Sequence, residues 1–305
     1  MDNTSPKLAP HTDFGDADLT QMNMSGIDLS YCDFSRSKID GVDFSGSNLK
    51  GSNFEYCNLY NCTFQAAILD EANLRHAQLG NTDFSNASLR GADLRFMKGD
   101  FTRDDVDADL VMYPNSKPSP GDGGGYSFNG ADLHSANLAG SSLNRGEFND
   151  AILDYAMFRN AELIEATFAQ STLDYTDFTN ACMPHATIAY SQGNSTVFNG
   201  ADLNHSEVHD CEFPGAQFIG SFLSGASFTE VGLIAADFRS ARCHEYEINL
   251  SFENIYIEAT SFASCDLQKV NFSWASVYGV NFENSNFHES SFIGCDKIES
   301  ERLEK

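Results

Sequence analysis

Large apolar residues recur at every fifth position along almost the whole chain. Starting from Phe14, the series runs Leu19, Met24, Leu29, Phe34, Ile39, Phe44, Leu49, Phe54 and on to Leu94. It resumes at Phe128 and continues to Ile248, then slips by one residue and runs from Phe252 to Lys297. Of the 52 five-residue units so defined, 49 carry Leu, Phe, Ile, Met or Val at the centre; Gly193, Cys243 and Lys297 are the exceptions. Two residues before each centre stands a small residue, Ala, Ser, Thr, Cys or Gly, in 42 of the 52 units. The residue just before the centre is mostly Asp, Asn, Ser, Thr or Glu. Two residues after it, Gly or Asn is frequent, as at Gly26, Gly46, Gly91, Asn160 and Gly225.

A period of five fits neither regular element. A helix places its apolar residues at a spacing of about 3.6 and a half-buried strand at about 2. Two inward positions per five, one large and one small, predict a short extended edge followed by a corner. Residues that tolerate φ > 0 belong at that corner. Four edges close a square coil of 20 residues, and coils stacked ~4.8 Å apart pair their backbones as strands in a sheet do. Large and small side chains then fill a narrow core between them.

The motif is nearly literal in Ala72-Asn73-Leu74, Ala92-Asp93-Leu94, Ala131-Asp132-Leu133, Ala136-Asn137-Leu138 and Ala201-Asp202-Leu203. This resembles the pentapeptide-repeat family, over about residues 12–299 apart from one insertion. The resemblance implies an all-β fold, a right-handed quadrilateral β-helix of about 13 coils and a rod of roughly 60 Å. Within that frame residues 1–12, with Pro6 and Pro10, are expected to cap the first coil. The β-helix proper is expected over 12–296. Residues 97–125, rich in Pro and Gly, read as a projecting loop with one short helix over 102–112. Residues 297–305 read as a short terminal helix or tail. One missing residue near 248–252 predicts a tightened corner.

Charge changes the picture from fold to partner. The chain has 44 Asp+Glu against 18 Lys+Arg, a formal net charge of −26. Such a chain repels nucleic acid and anionic membrane and suits a basic protein surface. No apolar run is long enough for a membrane-spanning helix. The first residues lack the basic and apolar regions of a signal peptide, so a cytoplasmic location is expected, or else secretion by another route. Six of the eight cysteines, Cys32, Cys57, Cys62, Cys211, Cys265 and Cys295, occupy the small-residue position and read as core fillers, not ligands. Reduced thiols fit the cytoplasm.

Between Asn160 and Phe238 there is no Lys or Arg. The acids in that window are Glu162, Glu165, Asp174, Asp177, Asp202, Glu207, Asp210, Glu212, Glu230 and Asp237. Part of this acidity is intrinsic to the motif, since 18 of the 44 acids precede a centre. The missing cations are not. Over the expected rod, the net charge amounts to about one per 2.3 Å, comparable to duplex DNA at one per ~1.7 Å.

No nucleophile, phosphate-loop or metalloprotease motif is present, and no cofactor is expected. His185 and His205, one 20-residue period apart, with His209 and Asp210 on the neighbouring edge, are the one metal candidate, and they read as solvated surface residues. The chain therefore reads as a binding protein, not an enzyme. Some family members are described as DNA mimics that bind DNA gyrase or topoisomerase IV. The resemblance implies that partner here, met by the acidic window and by loop residues such as Asp104, Asp105 and Asp107. The alternative is an interaction scaffold or secreted effector displaying a terminal motif. Trp274 and Tyr278, outward-facing near the C-terminal end, are expected at a homodimer interface, where relatives of known structure pair.

Overall fold

A computed structural model describes residues 8–99, 126–243 and 250–295. The chain divides into two compact units, Met1–Met157 and Phe158–Lys305. Both are β-solenoids made of square 20-residue coils. The expected total of about 13 coils assumed one uninterrupted rod; with the chain divided, the ladders are followed within each unit. In the first unit one ladder runs Asp13, Asp33, Asn53, Asn73, Asp93, Asn137, Met157. In the second, one runs Glu162, Cys182, Asp202, Phe222, Arg242, Asp266, Asn286. All pairings are parallel. Seven three-residue strands stand out in the second unit: β1 (Thr167–Ala169), β2 (Thr187–Ala189), β3 (Glu207–His209), β4 (Ser227–Thr229), β5 (Gly232–Ile234), β6 (Tyr256–Glu258) and β7 (Ser276–Tyr278). They form a four-stranded sheet in the order β1-β2-β3-β4 and a three-stranded sheet β5-β6-β7.

The five-residue motif follows from where each backbone N–H goes. In the unit Asn53–Cys57, Asn53 N donates back to Cys32 O at 2.9 Å and Phe54 N forward to Asn73 O at 2.7 Å. Tyr56 N reaches Arg75 O at 3.1 Å, and Cys57 N closes a tight turn onto Phe54 O at 3.1 Å. Glu55 N alone finds no carbonyl; it donates to the Asn53 side-chain Oδ1 at 3.2 Å. That requirement selects Asp or Asn before the centre: its short side chain supplies the fifth acceptor, as an Asx turn does. Gly15 N on Asp13, Ser35 N on Asp33 and Thr179 N on Asp177 repeat the arrangement at 2.8, 2.9 and 2.9 Å.

The small position has a matching logic. Its side chain points into the core beside the coil before it, where a hydroxyl or thiol donates to the carbonyl of a centre residue. Thr82 Oγ1 reaches Leu59 O at 2.9 Å, Ser191 Oγ reaches Phe168 O at 2.7 Å, and Cys57 Sγ reaches Phe34 O at 2.8 Å. Between such positions, stacked columns of centre side chains fill the core. Phe34 and Phe54 lie 4.7 Å apart at 7°, and Phe44 and Phe64 5.0 Å apart at 10°. The two columns meet edge to face, Phe34 on Phe44 at 5.6 Å and 79°. These offset and T-shaped contacts are the favoured aromatic geometries.

The corner residue two past each centre adopts φ between +50° and +71° throughout the described residues. Gly does this without cost, but Tyr31, Tyr56, His76, Phe96, Glu165, Trp274 and many others do it too. Some bulky corner residues lean onto a glycine of the next coil. A Cβ on Gly51 would meet the Tyr31 ring at 2.5 Å, and one on Gly140 would meet the Phe96 ring at 2.8 Å.

Both interruptions differ from the sequence expectation. Residues 97–99, assigned to the loop, continue the solenoid. Met97 is buried, Lys98 bridges Gln78 and Ser142, and Gly99 N donates to Ser142 O at 2.7 Å, so Gly99 is itself a centre. Its missing side chain leaves room for Tyr126, which is buried where a small residue normally stands and whose hydroxyl donates to Asn144 O. Pairings across this point, such as Asp83↔Ser127 and Ser88↔Asp132, overstep the ordinary coil length, so the extra sequence enters at one corner. The second interruption is an insertion, not a deletion. Ser227↔Ser251, Asp237↔Ser261 and Arg242↔Asp266 each overstep the coil length by four positions. The five-residue count ran through them because Ile248 happens to keep the period; the next centre after Cys243 is Phe252. The expected cap at 1–12 is described only from residue 8, and the helices at 102–112 and 297–305 fall outside the described residues.

Candidate acidic interface

The acids of the cation-free window lie in the second unit and distribute around its coils. Glu162 and Asp202 share one face, two coils apart, with Cys182 between them. Within a single coil, Asp202, Glu207, Asp210 and Glu212 follow one another around three successive faces. The next coil toward the N-terminus, 182–197, contributes no acid at all. The carboxylates therefore surround the coils and do not form one continuous stripe. Asp104, Asp105 and Asp107 lie outside the described residues.

Two groups of acids separate by what they do. Asp177, Asp202 and Asp237 accept the corner N–H of Thr179, Asn204 and Arg239 at 2.9, 3.1 and 3.0 Å. Asp174 accepts both Asn194 N at 2.6 Å and its side-chain amide at 2.9 Å. These four hold backbone, so they cannot be exchanged for lysine without cost to the fold. Glu207, Glu212 and Glu230 are exposed glutamates. Glu230 stands at a corner, and Glu212 precedes a centre with its carboxylate lying over Gly232 of the next coil. Glu162 and Glu165 are half-buried. Asp210 pairs with His209 at 2.9 Å.

The arginines that bound the window in sequence reach into it in space. Arg159 Nε meets Asp177 at 2.5 Å, and Arg239 binds Asp237 at 2.6 Å. The window is thus partly neutralised at both edges. The first pairing is hidden in sequence because Arg159 and Asp177 meet only across stacked coils.

Burial raises the Asp177 carboxyl, but hydrogen bonds from the Thr179 side chain and N–H, together with Arg159, outweigh it and hold the group below the usual carboxyl value. Asp93, desolvated in the same way, is held down chiefly by Arg95. A carboxyl with a lowered folded value contributes stability above its unfolded value of ~3.9 and loses it as pH falls through the folded one. The thermal midpoint of Asp93→Asn/Asp177→Asn should therefore fall less than that of wild type between pH 5 and pH 2. The amides keep the turn acceptor and remove the titration; parallel pH curves for the two proteins would refute the assignment.

Six of the eight cysteines are buried, and Cys182 and Cys295 are half-buried. Those described are all free. Burial pushes Cys57 and Cys62 up to about 12 and Cys211 and Cys265 up to about 11, far from reactive thiolates. His185 and His205 stack at 4.9 Å and 10°. Among the described residues, no group of three or more His, Cys, Asp or Glu is arranged to hold a metal ion.

A model of pentapeptide repeats matches the chain in eight copies, over residues 12–51, 27–65, 67–98, 127–167, 151–188, 209–242 and 265–296. The chain belongs to the pentapeptide-repeat family. No curated protein matches it. Among solved structures, it is similar to HetL, a pentapeptide-repeat protein involved in heterocyst differentiation regulation from the cyanobacterium Nostoc sp. strain PCC 7120. That likeness has 17% identity over 94% of this chain and 89% of HetL, with a TM-score of 0.27. It is also similar to full-length QnrB1, a plasmid-mediated fluoroquinolone resistance protein, at 15% identity over 88% of this chain and 94% of that one, TM-score 0.26. A trypsin-treated variant of QnrB1 gives 18% identity over 60% of this chain and 83% of that one, TM-score 0.35. At such identities and TM-scores these likenesses say nothing of what this pentapeptide-repeat protein binds. Its acidity before each centre is the family motif at work, since Asp there closes a turn.

Proposed function

We propose that this pentapeptide-repeat protein is a non-enzymatic binding protein whose second unit offers carboxylates to a partner's basic, DNA-binding surface. DNA gyrase or topoisomerase IV is the partner to test first. One observation supports the reading above the rest: between Arg159 and Arg239 no Lys or Arg interrupts coils that carry acids on several faces, as a duplex carries phosphates on all sides. A basic groove shaped for a duplex meets negative charge from each approach. Homodimerisation through Trp274 and Tyr278 belongs to the same proposal. Both are exposed, 61% and 51%, although one face of Trp274 is used within the chain to cover Gly294.

The test uses exposed glutamates, so that the turn-closing aspartates stay in place. Wild type should compete with DNA for gyrase, and binding should weaken steeply as salt rises, as contacts between exposed charges do. Glu212→Lys/Glu230→Lys should keep the circular dichroism of wild type and lose binding at least about tenfold. Light scattering of Trp274→Ala reports the dimer in the same samples. Absence of binding to either topoisomerase at low salt, or binding that leaves DNA undisplaced, overturns the proposal.

A further inference from the structure

A second surface, of opposite character, lies on the first unit. Tyr56, His76 and Phe96 are corner residues of three successive coils, each one coil length beyond the last. Their rings form one continuous stack, 4.7 Å and 2° between the first pair, 5.2 Å and 13° between the second. Phe96 lies over Gly140, the next residue of the same corner column. Tyr56 is 57% exposed and Phe96 42%. Beside this ridge, Arg75 and Arg95 occupy the preceding corner column. Arg95 is held in a bidentate pair with Asp93, at 2.8 and 2.6 Å. Arg75 makes no ion pair among the described residues, and its Nε is buried without a hydrogen-bond partner. Lys98, two residues beyond Phe96, is exposed and likewise makes no ion pair among the described residues.

The sign of charge here runs against the chain as a whole. The coils that carry the ridge, residues 53–58, 73–78 and 93–98, hold three cations (Arg75, Arg95, Lys98) and two acids (Glu55, Asp93), a net +1 in a chain of net −26; Arg36 and Lys38 of the preceding coil are taken up by Asp16 and Asp18.

The geometry also selects among ligands. Both faces of His76 are covered by its neighbours, and the far face of Phe96 is covered by Gly140. Ring faces are what a nucleic-acid base needs for stacking, and those of His76 and Phe96 are taken. The edges point outward instead, and an aromatic edge carries the positive part of the ring quadrupole. Ring edges together with the Arg75 guanidinium, which makes no direct ion pair but acts at longer range on Asp93, favour carboxylates and aliphatic side chains. Tyr and Arg are also the residue types that dominate interface energetics. We propose that the ridge Tyr56–His76–Phe96 with Arg75 is a docking site for an acidic peptide segment of a protein partner, its carboxylates on Arg75 and Lys98 and its apolar side chains along the ring edges. The long-range repulsion of the acidic chain does not forbid this, because charges farther than ~8 Å are largely screened at physiological ionic strength.

The ridge shares no residue with the acidic coils of the second unit, so the two proposals fail independently. The test is a selection from a random decapeptide library displayed on phage, with the full-length protein as bait at physiological salt. Arg75→Gln/Phe96→Ser is the comparison bait; both side chains lie outside the core, and its thermal midpoint is checked against wild type. If the inference is right, the enriched peptides carry Asp or Glu together with Leu, Ile or Phe. Their recovery should drop at least about tenfold on the comparison bait, while Glu212→Lys/Glu230→Lys retains them. No enrichment, enrichment without acidic residues, or equal recovery on Arg75→Gln/Phe96→Ser overturns it. So does binding of a single-stranded oligonucleotide that the same two substitutions abolish.

Discussion

Leu138→Asp should leave no folded protein, whereas Asn137→Asp, one residue away, should be indistinguishable from wild type. Leu138 is fully buried in the first unit. Its N–H donates to Met157 O at 2.8 Å, and its side chain lies in a core lined by other apolar centres. A carboxylate there has no cation and no donor, and desolvating it without compensation costs several kcal/mol or more, comparable to the whole stability of a domain at ~5–15 kcal/mol. Asn137 points outward and its Oδ1 accepts Ala139 N at 3.2 Å, a role a carboxylate fills equally well. The comparison is read by far-ultraviolet circular dichroism and soluble yield. A β-type spectrum and cooperative melt for Leu138→Asp would overturn the inward assignment of the centres.

Phe178→Ala should destabilise the second unit by about 3–5 kcal/mol, the usual cost of emptying a buried phenylalanine site. Phe178 stacks between Phe158 and Phe198 at 4.9 and 5.1 Å and meets Phe168 edge to face at 5.6 Å and 84°. The backbone around it is locked by ladder bonds on both sides, so the coil cannot collapse into the void. Phe178→Leu, which retains most of the volume, should lose much less. Urea denaturation midpoints for the three proteins decide the matter: an alanine variant no worse than the leucine variant would mean the column is not close-packed.

The repeat was legible in sequence because burial demands the same thing of every unit. A large side chain must fill the coil, and a small one must let the next edge approach, so Phe34, Leu59 and Phe178 announce themselves. The corner was only half legible. Its φ > 0 selects Gly at Gly26 or Gly51, but hydrogen bonds from the surrounding ladder hold Tyr56, His76 and Trp274 in the same conformation, and propensity alone cannot tell those from ordinary loop residues. The acidic window was legible as composition, not as geometry. Residue order alone does not show that Asp202 closes a turn while Glu230 stands at a corner in solvent. The reach of Arg159 to Asp177 becomes visible only when coils are laid on one another. The aromatic ridge had a readable signal in the spacing 56, 76, 96. It was missed because the rings stand at corners, outside the apolar series. The insertion after Cys243 was misread because Ile248 kept step with the period by coincidence.

Both insertions enter at the same point of the unit. The chain departs after a centre, Gly99 or Cys243, and returns at a small position, Tyr126 or Leu250. Only the corner dipeptide is replaced, once by the segment 100–125 and once by 244–249. Elsewhere even the corner joins the ladder, as Tyr56 N does on Arg75 O, yet at both insertions the edge pairings resume in register on the far side. A lineage of such genes can therefore vary in two ways without losing the fold: by gaining or shedding one whole coil of codons at a time, or by sprouting new sequence at a corner. The second route grafts an appendage of arbitrary length onto a scaffold that does not register its presence.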